Sequence, residues 1–336
     1  MKGMPVLKTH SLAIVSLTLF LIQLFVPTGA SAQAWLPRKG YGNVSVAYKN
    51  VYVRDHLDLG VRSDKGQIRT HIVALDFEYG LTRRLAVNVG VPFAMAKYTG
   101  IQPHRHGDQL EYDDDGTYNG GFQDFRFGLR HALLPRSPVV ITPFIDGIVP
   151  SHNYETFAHS AIGRNLRELL IGTNVGWHGG EDSFLSNVYT QARISYGFVE
   201  RVLDRSHNRT NIDAELGYFL TSRLALSGLA SFQKHHGAAL DPPPRGGEPW
   251  SHEEEHAHME LLRSDMFDVG VGAAFQLNGK TSVYANMLHT VWGRNGHPTQ
   301  AGLIVGINRR FRVHGKDVFA DDTLRPETLP VNRDAR

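Results

Sequence analysis

The 336-residue chain contains no cysteine, so disulfide frameworks, thiolate metal sites and cysteine nucleophiles are all excluded. An excess of one charge is also missing. Lys and Arg number 35 against 33 Asp and Glu, giving a formal net charge of +2. There is no concentrated basic face of the kind nucleic acid requires. Long apolar runs are scarce as well. The run from Leu12 to Val26 is about fifteen residues, short of the roughly 20 that a spanning helix needs. Lys2 and Lys8 precede it, and Ala30, Ser31 and Ala32 follow it before Gln33, which is the plan of a cleavable secretory signal. Residues 1–32 therefore read as a signal peptide. No later segment is long and apolar enough to stop transfer, so membrane insertion of the exported chain must be by strands.

What the chain has instead is a period of two. From residue 85 the odd positions are Leu85, Val87, Val89, Val91, Phe93 and Met95, and the even ones Ala86, Asn88, Gly90, Pro92, Ala94 and Ala96. Phe125, Phe127 and Leu129 alternate with Asp124, Arg126, Gly128 and Arg130. Ile212, Ala214, Leu216 and Tyr218 alternate with Asn211, Asp213, Glu215 and Gly217, and a similar pattern runs from Phe267 to Phe275. A helix would scramble both sets. With further strands near 41–54, 68–79, 138–150, 166–177, 184–199, 223–235, 280–292 and 300–313, the count is about twelve. Each is long enough for the roughly 9 to 11 residues of a tilted membrane strand.

The connections fix the architecture. Short ones, at 80–82, 135–137, 178–182, 221–222 and 278–279, alternate with mostly longer ones at 55–67, 99–120, 151–165, 201–208, 240–262 and 293–299. A soluble sandwich also has alternating strands but needs no such sidedness. The expected fold class is all-β, an antiparallel transmembrane β-barrel of about 12 strands with short periplasmic turns and long extracellular loops. It spans 33–313 in the cell outer membrane, against lipid and lipopolysaccharide, with a polar periplasmic tail over 314–336.

The run Gly121-Phe122-Gln123-Asp124-Phe125-Arg126-Phe127-Gly128, the Pro-bounded turn from Pro135 to Pro138, and the strand closing in Ile148-Val149-Pro150-Ser151 resemble outer-membrane proteins of the phenol meta-pathway (MetA-like) transporter-like family. The similarity is clearest from Arg69 to Trp177. It implies a channel for small, often aromatic, hydrophobic molecules. Where that family often carries Pro-Thr-Gly, this chain has Pro150-Ser151-His152.

Residues opposite the apolar set should point inward. These are Asp76, Glu78, Asn88, Asp124, Arg126, Arg130, Gln191, Arg193, Asp213, Glu215, Asp268, Gln276, Asn286 and Arg310. They would either line a solute passage or pair with one another and fill the lumen, since about twelve strands lie between packed and water-filled barrels.

Histidine is the second signal, at 18 residues, with His104, His106, His152, His159, His235 and His236 falling in or beside expected loops. Within His252-Glu253-Glu254-Glu255-His256-Ala257-His258, one helical turn would put His252 and His256 on one face, and with His258 they could bind zinc, copper or nickel. A divalent transition metal is the one cofactor the sequence suggests. Asp113, Asp114 and Asp115 lack the ordered spacing of a calcium hand and read as a solvated turn. The tract from Asp241 to Gly247, with three prolines and two glycines, reads as an exposed lid element.

Neither His159-Ser160 nor Ser206-His207-Asn208 has the histidine-x-serine order of outer-membrane phospholipases, and no Gly-x-Ser-x-Gly elbow occurs, so no enzyme is expected. The expected function is an outer-membrane channel that passes small solutes. The alternative is a non-conducting barrel whose histidine-rich loops bind divalent metal or surface partners.

Overall fold

A computed structural model describes residues 34–106, 109–110, 112–134, 138–180, 183–243 and 248–313. The expected signal peptide (1–32), C-terminal tail (314–336), proline-bounded turn (135–137) and the end of the lid tract (244–247) lie outside the described residues.

Twelve antiparallel staves close on themselves. In order they are β1 (Tyr41–Asp58), β2 (Val61–Gly80), β3 (Leu85–Thr99), a stave split into β6 (Asn119–Phe122) and β7 (Phe125–His131), then β8 (Val139–Val149) and β9 (Glu168–His178). β10 (Val188–Val199), β11 (Arg209–Phe219), β12 (Leu224–His235), β13 (Met266–Asn278), β14 (Thr281–Gly293) and β15 (Thr299–Arg312) follow. The loop after β3 carries a small hairpin, β4 (Arg105–His106) and β5 (Gln109–Leu110). Closure runs through β1 and β15, from Tyr41 opposite Arg312 to Tyr52 opposite Ala301. Both ends of the described chain therefore emerge at the short-turn end.

Alternation becomes sidedness because successive side chains of a strand point to opposite faces. Val73, Leu75 and Phe77 of β2, Phe127 and Leu129 of β7, and Leu216 and Tyr218 of β11 are all exposed on the outside. Their neighbours Asp76, Glu78, Arg126, Arg130, Asp213 and Glu215 line the interior. An exposed apolar belt is unstable in water and stable against acyl chains, and a closed ladder leaves no backbone edge unpaired in lipid.

Two expected boundaries move. Residues 55–67, expected as a loop, are mostly strand: β1 and β2 extend as a two-stranded hairpin to Asp58 and Val61, with a bulge between Arg54 and His56. Its tip places Leu59 and Gly60 at φ 51 and 85°, the two positive values that a type I′ hairpin turn demands. Asp55, Asp58, Gly60, Asp64 and Gly66 give the segment a loop-like composition, but pairing to the opposite strand overrides it. Conversely, β10 begins at Val188 rather than 184. The residues before it form a turn, with the Ser186 amide donating to the Ser183 carbonyl at 2.9 Å and the Val188 amide to that of Leu185 at 2.8 Å.

The long loops fold over one end of the barrel as a cap with its own core. Leu240, Ala257 and Leu261 are buried together under Val202 and Trp250. The β1–β2 tip pairs with the β14–β15 loop, the Leu57 amide donating to the Gly296 carbonyl at 2.8 Å and the Leu59 amide to Asn295 Oδ1 at 2.7 Å. Asp241 pins the cap: Arg294 donates to both its carboxylate oxygens, at 2.9 and 3.0 Å, and Asn295 adds a third bond at 2.8 Å. Asp241, expected within an exposed lid element, is thus an anchor.

Candidate functional site

The barrel encloses a cavity of about 510 Å³. Of the residues expected to face inward, Asp76, Glu78, Asn88, Arg126, Arg130, Gln191, Arg193, Asp213, Glu215, Asn286 and Arg310 line it. Three do not. Asp124 sits in the break between β6 and β7 and accepts the Tyr154 hydroxyl at 2.5 Å. Asp268 accepts the Thr290 hydroxyl at 2.6 Å. Gln276 is buried at the short-turn end of β13, its amide bonded to the Asn278 carbonyl.

Most of the lining charges are paired. Arg130 bonds Glu78 and Arg193 bonds Asp146, while Arg126 lies 3.9 Å from Asp76. The Tyr189 hydroxyl and Gln191 amide donate to the two oxygens of Glu215 at 2.6 and 2.8 Å, and Ser231 donates to Asp213 at 2.7 Å. Lys49 and Asp146 belong to the lining although the sequence did not single them out. With them the cavity carries five cationic and five acidic side chains, so its field has no net sign. Gly128 makes the Asp146 position available, because a Cβ there would collide with the carboxylate.

One lining element is not a strand. Trp35, Leu36 and Pro37 enter the cavity from the short-turn end. The Ala34 amide donates to Gln191 Oε1 at 3.2 Å, and the Thr142 hydroxyl donates to the Ala34 carbonyl at 2.7 Å. Leu36 packs with Ala86 and Ala132. Gly176 leaves the space in which Ala34 and Trp35 lie, since a Cβ there would come within 2.6 Å of the Ala34 methyl and 3.0 Å of the indole. The segment is a short internal plug.

At the other end the loop histidines separate into groups. α1 (His252–His256) begins with a Ser251–Glu254 capping box, and its first and last rings lie 4.5 Å apart, edge to face. His256 also stacks on Phe157. His258, which opens α2 (His258–Leu261), points elsewhere: its Nε2 lies 3.3 Å from Nε2 of His104. His159 and His297 face each other at 3.3 Å through Nδ1 and Nε2, with the His56 ring 4.9 Å from that of His297. His56 and His297 were not singled out in the sequence. His152 bonds Ser151, His235 lies 3.7 Å from Asp265, and His236 bonds the Thr210 hydroxyl.

Asp114 organises this cluster. Its side chain is fully buried and accepts four N–H donors, the His104 amide and Nδ1, each at 2.9 Å, and the His159 and Ser160 amides, each at 3.2 Å, with the Ser160 hydroxyl 3.3 Å away. It is therefore no solvated turn residue. Burial pushes its carboxyl up, but these bonds hold it below the usual carboxylate range. Burial, reinforced by the neighbouring His104, depresses His159 to about 3, and burial depresses His258 to about 4. His297 is lowered well below the usual imidazole value by burial and by His56 and His159. The Ser160 hydroxyl donates to the Asp113 carbonyl, so His159-Ser160 forms no nucleophile–base pair.

By sequence the chain matches no family model and no curated protein. Its fold is similar to that of an outer-membrane channel from Pseudomonas putida F1, with a TM-score of 0.62 at 13% identity over 85% of this chain and 100% of that one. Looser likenesses include the NanC porin, with a TM-score of 0.46 at 7% identity over 79% of this chain and 98% of that one. Another is the P. putida toluene transporter TodX, with a TM-score of 0.39 at 10% identity over 82% of this chain and 90% of that one. At such identities the likeness is one of fold.

Proposed function

We propose that this protein is an outer-membrane channel that passes small, uncharged, partly hydrophobic solutes, aromatic ones included. The observation that carries the proposal is the balanced cavity of five cationic and five acidic side chains. A pore for anions or cations would carry a surplus of the opposite sign, whereas a mutually paired lining leaves neutral molecules free of any net field. The size also suits this reading, because about 510 Å³ falls in the range of small-molecule cavities. A second feature favours apolar character. Ala273, Ala274 and Tyr284 border both the cavity and an apolar groove on the outer face, so small and aromatic side chains rather than charges line the lumen along that stretch of wall. The resemblance of 121–151 to the phenol meta-pathway family points the same way.

The reading includes an orientation. An exported chain with both barrel ends on one side presents its short turns and plug to the periplasm and its cap to the exterior. The test is uptake into proteoliposomes. Neutral aromatics such as phenol or benzyl alcohol should enter faster than into empty vesicles, and benzoate and anilinium should lag behind them equally. Absence of protein-dependent uptake in both the intact chain and one lacking residues 34–36 would refute a channel. A strong preference for one ion sign would refute the balanced lumen.

A further inference from the structure

We propose that His104, His159, His258 and His297 form a binding site for a divalent transition metal, zinc, copper or nickel by ligand type, that ties four loops together over the mouth of the barrel. The inference does not rest on the channel reading. It begins with hydrogen-bond bookkeeping. A carboxylate only accepts, so His104 Nδ1, 2.9 Å from Asp114 Oδ2, carries the proton. A carbonyl only accepts, so His258 Nδ1, bonded to the Glu255 carbonyl, carries its proton too. In the neutral rings this leaves two Nε2 lone pairs facing each other at 3.3 Å. Such an arrangement is repulsive unless a cation lies between them. His159 repeats the pattern in part: its Nε2 donates to the Gln102 carbonyl at 3.0 Å, which turns the Nδ1 lone pair toward His297.

The spacing suits a metal better than a shared proton. Four nitrogens at the usual zinc distance of 2.0–2.1 Å stand about 3.3 to 3.4 Å apart along the edges of a tetrahedron. Both facing pairs have that separation, 3.3 Å. The two pairs adjoin through the His104 and His159 rings, 4.3 Å apart; among the described residues His104, Asp114 and His159 already hold ligand atoms within 4.8 Å of one another, and His258 and His297, each 3.3 Å from one of them, would close in on binding. Asp114, already saturated by its donors, is a positioning residue rather than a ligand. A carboxylate or carbonyl on the distal ring nitrogen is what orients metal-binding imidazoles, and three of the four rings have one. Imidazole-rich sites favour zinc, copper and nickel over calcium or magnesium.

Calorimetric titration of the detergent-solubilised full chain with zinc or nickel salt alone should show saturable binding and raise the midpoint of heat unfolding. Cobalt(II) should develop the visible absorption of tetrahedral nitrogen coordination. His104→Gln and His159→Gln should each abolish binding. Asp114→Asn should weaken it about 10- to 100-fold while retaining the cobalt band. His252→Gln, on the exposed face of α1, should bind like the parent. Should His104→Gln fail to fold, His258→Gln provides the same comparison from the edge of the cluster. No heat and no cobalt band in the parent chain would overturn the proposal. So would unchanged affinity in His104→Gln and His159→Gln, or loss of binding in His252→Gln, which would move the site to the α1 pair. Because binding requires no open lumen, its outcome is read separately from solute uptake.

Discussion

Asp146 tests the paired lumen most directly. Its side chain is 3% exposed and bonded to Arg193, which is 19% exposed and lies with its guanidinium 3.6 Å above the Phe144 ring. Asp146→Asn keeps the shape and removes the charge, leaving Arg193 without its counter-ion. Breaking a buried pair from one side costs about 3 to 5 kcal/mol. The low end, about 3 kcal/mol, applies here because Arg193 keeps some solvent and its aromatic face. The cavity simultaneously goes from balanced to one surplus positive charge. On an ion passing about 5 Å away in a water-like dielectric, that charge exerts about 0.8 kcal/mol, or roughly a fourfold change in the partition of either ion sign. Denaturant unfolding in detergent micelles should show the lost stability, and the reversal potential across a bilayer under a salt gradient should move toward anion preference. Asp146→Asn with Arg193→Gln should recover much of the stability and return the reversal potential to zero. A single variant within about 1 kcal/mol of the parent and with unchanged selectivity would show that the lumen charges act through water rather than as pairs, and the reasoning would fail.

Trp35→Ala should raise single-channel conductance, because the indole and its neighbours occupy the short-turn end of the cavity; equal conductance in bilayer recordings would show that the plug does not limit flow. Leu59 sits at φ 51°, where a side chain other than Gly or Asn costs about 1 kcal/mol, so Leu59→Gly should slow proteolysis of the cap, and faster cleavage would contradict the turn assignment. Burial pushes Asp241 up, but the bonds from Arg294 and Asn295 leave its carboxyl below the usual carboxylate value. Its contribution is therefore fully present above the unfolded carboxylate pKa of about 3.9 and is lost as pH falls through the lower folded value. Pepsin should cut the cap of the parent chain faster as acidity rises through that range, and Asp241→Asn should be cut at the faster rate throughout; identical profiles would refute the pin.

The barrel was legible because each face of a membrane strand has one kind of neighbour. Leu85 to Met95 shows an unbroken apolar parity, and nothing in the fold competes with it. Asp146 was missed where parity fails. In β8 Val139, Ile141 and Ile145 face one way, but Thr142 and Asp146 share the other with Val140, Phe144 and Ile148, so the contrast between the sets is weaker than in β3 and the inward carboxylate is masked by its apolar neighbours. The plug has no periodicity at all, being a few residues after the expected cleavage site. The histidine cluster needed topology. Its facing pairs are separated by 154 and 138 residues in the chain, a closeness that only barrel closure creates. His252 and His256 were conspicuous because their spacing is local. His297, within Asn295-Gly296-His297-Pro298, and His56, hidden in a strand taken for a loop, were not.

The two ends of the lumen are covered by different means, and the difference predicts which one yields first. The cap is held by a bidentate ion pair at Asp241, by its own apolar cluster around Leu261, and by ladder bonds between the β1–β2 tip and the β14–β15 loop. These contacts cooperate, so lifting one loop means disturbing several. The plug is held by Leu36 against Ala86 and Ala132, by Ala34 and the Trp35 indole over Gly176, and by two backbone bonds at Ala34. Burying a leucine contributes about 2 kcal/mol and each net hydrogen bond about 1 kcal/mol, so Leu36 and the two Ala34 bonds contribute about 4 kcal/mol, to which the half-buried Trp35 adds and from which the chain entropy regained on release subtracts. A solute that gains more than the plug's hold by occupying the cavity is expected to displace residues 34–37 before the cap. Gly176→Ala supplies the complementary perturbation, because its methyl would press on Ala34 and Trp35 and loosen the plug without touching a loop. Its conductance should rise with that of Trp35→Ala, while cap proteolysis stays at the parent rate. A rise in proteolysis without a change in conductance would place the moving part at the cap instead.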